Sequence, residues 1–99
     1  MKLETSKGSE GSATAERIQE LIQDESQRGD YIILSQADDR YFQTTGMDDE
    51  FHAEYRDGSA DQHFILRSPI KGSELYELML RYLNQEADWH SGHKWQSLS

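Results

Sequence analysis

Phe51, Ala53 and Tyr55 alternate with His52, Glu54 and Arg56, so apolar side chains recur at every second residue. That period belongs to an extended strand with one face on a core and the other toward water. The run Asp57-Gly58-Ser59-Ala60-Asp61 follows, all turn formers, and then His63 to Arg67 with Phe64 and Leu66 two apart. Pairing Asp57 with Gln62 sets Tyr55 opposite Phe64 and Ala53 opposite Leu66, a register in which both apolar faces coincide. Such a hairpin must be covered on one face, and the rest of the chain has to supply the cover.

Two segments have the period of amphipathic helices. Ala15, Ile18, Leu21 and Ile22 form a narrow stripe, with Thr14 as N-cap and Gly29 as stop. Leu75, Leu78, Met79, Tyr82 and Leu83 form a broader one, with Ser73 as cap. Between them, Tyr31-Ile32-Ile33-Leu34 reads as a strand covered on both faces or nearly so, and Tyr41-Phe42-Gln43-Thr44-Thr45 as another. The turn formers Asp38-Asp39 and Asp48-Asp49 separate the strands. Strands in a run with helices before and after predict an α+β fold. The expectation is an antiparallel four-stranded sheet with an N-terminal and a C-terminal helix packed on one face. Trp89 and Trp95 close the pattern, with a short fifth strand or clasp near Trp95. Residues 1–12, with Leu3 the main apolar side chain after Met1, predict a flexible polar tail ahead of a single domain over 13–99.

Composition narrows the function by exclusion. The 99 residues carry 19 acidic and 10 basic side chains, a formal charge of −9, and no cysteine. Zero cysteines exclude a disulfide scaffold, a thiolate nucleophile and a Cys-based zinc site. An acidic balance opposes binding to a phosphate backbone, so nucleic acid is not the expected partner. No apolar run approaches the roughly 20 residues of a membrane span, and no secretory leader pattern is present, so a cytoplasmic location is expected. Phosphate-binding glycine loops and a nucleophile elbow are both absent. The chain is read as a non-enzyme without cofactors.

Four histidines invite a metal reading. His90 and His93 are three apart, while His52 and His63 fall on neighbouring strands. Acidic neighbours of a histidine are expected by chance in so acidic a chain, and His90 and His93 lie in a loop containing serine and glycine, so no metal site is assigned. The Asp48-Asp49-Glu50 run fails the EF-hand spacing and reads as turn chemistry. What remains is charge. Asp38, Asp39, Asp48, Asp49, Glu50, Glu54, Asp57 and Asp61 are opposed in that stretch only by Arg40 and Arg56. This predicts an acidic rim that steers a basic protein partner, with pairing to a second copy as an alternative. The partner-binding residues expected are Asp48, Asp49, Glu50, Glu54 and Asp57, with Tyr55 and Arg56 as anchors.

The order Tyr31-Ile32-Ile33-Leu34, Tyr41-Phe42-Gln43, Gly46, then Phe51-His52-Ala53-Glu54-Tyr55-Arg56-Asp57-Gly58 resembles small immunity proteins of bacterial polymorphic-toxin systems. In those, a strand carrying Glu-Tyr precedes a hairpin, an apolar strand, a capped helix with Tyr-Leu near its end, and two tryptophans. Ser73, Tyr82-Leu83, Trp89 and Trp95 stand at the matching places here. The resemblance implies a cytoplasmic inhibitor that covers the active site of a cognate toxin domain. A basic nuclease groove would suit an acidic cover, and the alternative is a dimeric acidic adaptor or chaperone-like protein.

Overall fold

The computed structural model describes residues 1–98; Ser99, the last residue of the expected domain, lies outside them. The chain is α+β, with two helices, α1 (Ala15–Gln23) and α2 (Gly72–Leu83). Its strands are β1 (Lys2–Thr5), β2 (Gly8–Glu10), β3 (Tyr31–Ala37), β4 (Arg40–Met47), β5 (Glu50–Asp57), β6 (His63–Leu66), β7 (Ile70–Lys71) and β8 (Trp95–Ser97). They form one antiparallel sheet in the order β2-β1-β3-β4-β5-β6-β8. β7 pairs with β5 past the end of β6. The four expected strands are β3 to β6, and the expected hairpin register holds: Tyr55 faces Phe64, and the Asp57 N–H donates to the Gln62 carbonyl at 2.9 Å. β8 adds a strand beside β6, starting at Trp95.

The sheet is wider than four strands, chiefly because residues 2–10 are not a loose polar tail. They form a hairpin whose first strand pairs with β3, placing Leu3 opposite Leu34. Leu3 is only 1% exposed, so one apolar side chain among polar neighbours reaches the core. The backbone groups of the β3 edge gain partners at the same time. The turn of this hairpin passes through Gly8 at φ 144, and Ser6 Oγ donates to Asp30 Oδ2 at 2.6 Å.

α1 starts as its sequence suggests, with Thr14 Oγ1 accepting from the Arg17 N–H. It stops at Asp24 rather than Gly29. The Asp24 carboxylate accepts from Ser26 N–H at 2.9 Å and Ser26 Oγ at 2.7 Å, which starts a 3₁₀ turn over Glu25–Gln27 instead of more α-helix. α2 begins after Lys71, so Ser73 lies inside its first turn rather than capping it. Both helices lie on one face of the sheet and bury Ile18, Leu21, Ile22, Leu75, Leu78, Met79 and Tyr82. Facing them are Ile32, Leu34, Phe42, Phe51, Ala53, Tyr55 and Leu66.

Two local devices fix this layer. Arg28 donates from Nη1 to the Ile22 carbonyl at 2.8 Å and from Nε to the Asp48 carbonyl at 2.7 Å, while its guanidinium lies 4.7 Å from the centre of the Phe51 ring. The end of α1 is thereby tied to the β4–β5 turn. At the other end, the Trp89 ring centroid lies 4.7 Å from that of Tyr55, 4.8 Å from Tyr82, 5.6 Å from Phe42 and 5.8 Å from Trp95. Trp95 Nε1 donates to the His90 carbonyl at 3.0 Å. The tryptophans therefore clasp the C-terminal segment against the helix side of the sheet.

Candidate functional site

Strand alternation gives the sheet a second face, and neither helix covers it. Cross-strand partners set its rows. One runs Glu4, Ile33, Gln43, Glu54, Ile65, Gln96; the next runs Lys2, Ser35, Tyr41, Arg56, His63. A third joins Tyr31, Thr45 and His52. Most of these side chains are half-buried rather than fully solvated. The Tyr31-Ile32-Ile33-Leu34 run is therefore not covered on both faces. Ile32 and Leu34 lie under the helices, and Tyr31 and Ile33 belong to the open face.

Two depressions share Gln43 on this face. The larger, about 660 Å³, runs from Lys2 and Glu4 across Ile33 to Tyr41. The smaller, about 150 Å³, lies over Thr45, His52, Glu54 and Ile65. Beside the larger one the Tyr41 and His63 rings meet edge-on with centroids 6.1 Å apart, flanking Arg56, whose Nε donates to the Gly58 carbonyl at 3.1 Å. His63 Nε2 is buried, has no hydrogen-bond partner among the described residues, and lies 3.6 Å from Glu54 Oε2. Tyrosine and arginine among aliphatic groups are the residue types that anchor protein interfaces.

The expected single acidic rim is divided. In an antiparallel meander successive turns fall at alternating ends of the strands. Asp38-Asp39 and the loop after Asp57 therefore share one end, while Asp48 and Asp49 cap the other. The eight residues of β5 separate the two ends by roughly 23 Å at the usual strand rise. Glu50, Glu54 and Arg56 alternate onto the open face, and Asp48 and Asp49 border it. Asp49 is tied to Lys71 Nζ at 3.0 Å, and this ammonium holds its carboxyl below the usual carboxylate range.

Tyr55 and Asp57 do not join the face. Tyr55 is 8% exposed inside the aromatic cluster, because it shares the period of Phe51 and Ala53 and so cannot anchor a partner. Asp57 pairs with Arg40 at 3.9 Å on the helix side, where burial first and the Asp57 carboxylate second raise the phenol pKa of both Tyr55 and Tyr82. Sequence reasoning passed over Tyr31, Ile33 and Ile65, apolar or aromatic positions on what the alternation makes the polar face, whereas Tyr41 was legible as an interface type beside Arg56. Met47, 66% exposed at the end of β4, extends the same face into the Asp48-Asp49 turn.

Among the described residues no group of three or more histidines and carboxylates converges as a metal would require. No helix is long and apolar enough to cross a membrane. Comparison with known proteins finds no family model, no curated protein and no solved structure that matches the chain.

Proposed function

We propose that the chain is a non-enzymatic binding domain whose open sheet face seats a basic protein, as an immunity-like inhibitor would seat on a toxin enzyme. One observation carries this reading: an uncovered face with Tyr31, Ile33, Tyr41 and Ile65 at its centre is bracketed at both strand ends by carboxylates. The half-buried centre provides contact area, and Arg56 and Tyr41 provide anchors. The acidic ends attract a basic partner and raise its association rate. Resemblance to small immunity proteins over Tyr31 to Trp95 supports the inhibitor form, in which the face covers a basic substrate groove.

The test is calorimetry, with stopped-flow association kinetics, against the product of the neighbouring open reading frame, at low and at physiological salt. Tyr41→Ala should lower affinity on the order of tenfold or more, as expected of an interface anchor. Asp38→Lys with Asp48→Lys should instead slow association and flatten its salt dependence. If both variants bind as the parent does, the face is not the site. A solution mass of twice the 11.5 kDa chain, lost in Tyr41→Ala, would assign the face to a second copy instead.

A further inference from the structure

Most of the ten basic side chains are engaged. Lys2, Arg17, Arg40 and Lys71 pair with carboxylates, and Arg28 and Arg56 donate to backbone carbonyls. Arg67 and Lys94 have no ion pair among the described residues, yet the fold sets them face to face. The Arg67 N–H donates to the Lys94 carbonyl at 3.0 Å, extending the β6–β8 register one step beyond Leu66 and Trp95. Like charges directly across neighbouring strands repel. The chain has 19 carboxylates to offset this pair, but none lines the depression of about 210 Å³ that the two cations share. Ser68, His93, Leu66 and Ile70 also line it.

We infer that this depression binds a phosphate monoester group. Two neighbouring cations match a dianion, whereas a carboxylate would balance only one of them. The arginine fork fits phosphate oxygens in pairs, and the lysine acts as a point charge. His93 offers a ring N–H in either protonation state, and Ser68 offers a hydroxyl. Gly92, at φ 90 with open space where a Cβ would stand, leaves the backbone of the facing loop accessible. Pro69, exposed beside the pair, gives the organic part of the ester an apolar surface. The overall charge of −9 repels anions, so binding must come from these local contacts.

Amide NMR titration with inorganic phosphate and with phenyl phosphate tests the site, against sodium chloride at matched ionic strength. Saturating shifts confined to Arg67, Ser68, Gly92, His93 and Lys94 are expected, with phenyl phosphate the tighter of the two. Arg67→Gln and Lys94→Gln should each weaken binding on the order of tenfold, the worth of one charge-assisted hydrogen bond, while Lys2→Gln leaves it unchanged. The two exposed substitutions remove a repulsion, so a preserved melting temperature separates lost binding from lost folding. Shifts equal to those in chloride, or an equal effect of Lys2→Gln, would overturn the assignment.

Discussion

The Arg28 guanidinium closes the end of α1 and grips the next hairpin turn with the same nitrogen fork. Ile22 and Asp24 offer carbonyls that the helix leaves without intrahelical partners, and Asp48 offers one from the turn. Arg28→Ala should cost about 2 kcal/mol, read as a shift in the urea midpoint, and Arg28→Lys should recover less than half because an ammonium cannot span the fork. Gly46 marks the tight side of the same contact. A Cβ there would meet Phe51 Cε1 at 2.6 Å and Arg28 Cδ at 3.2 Å. Gly46→Ala should therefore destabilise by about 2–3 kcal/mol as an overpacked core site. Tyr82 supplies the pH test. Burial, and then Asp57, push its phenol up to about 12. The folded state thus keeps a proton that the unfolded chain releases near 10, so this contribution is complete below pH 10 and lost as pH rises toward 12. Absorbance at 295 nm should show the latest-titrating phenol vanish in Tyr82→Phe, while a raised Tyr55 phenol remains. At this scale the sequence was informative about facing and silent about neighbours: the alternation that buries Tyr55 was plain, but the pairing of Asp57 with Arg40 beside Tyr82 required the packed helix.

Among elements, β3 to β6 and both helices were legible because each carries a run of matched periodicity long enough to reveal its period. The β1–β2 hairpin was not, since Leu3 alone in Lys2-Leu3-Glu4-Thr5 gives no period to detect. Its stability comes from elsewhere in the chain. β3 lends an unpaired edge, and Asp30 receives Ser6 Oγ, Gln27 Nε2 and the Tyr31 N–H. Leu3→Ala should cost about 2–4 kcal/mol, the range of buried leucine truncations, and hydrogen exchange should show Leu3 and Glu4 amides protected in the parent. The Ser6 hydroxyl, followed by the Tyr31 amide and Gln27, outweighs desolvation and holds the Asp30 carboxyl below the ordinary range. That support is present above the usual carboxylate pKa and lost as pH falls through the depressed value. Ser6→Ala should raise the Asp30 titration midpoint seen by carbon NMR and detach the hairpin at a higher pH than in the parent.

For the whole molecule, charge without topology misled. Counting acids along the chain suggested one border, but alternating turns divided them between two ends with an uncovered face between. The aromatic clasp, by contrast, was foreseeable from two tryptophans following the second helix. Trp89→Ala should cost about 3 kcal/mol, because it empties the space shared by Phe42, Tyr55 and Tyr82. The sheet ends in two strands of only three residues, Gly8–Glu10 and Trp95–Ser97. Borders this brief present few free donors and acceptors, which disfavours the addition of a stray peptide as a further strand at either flank.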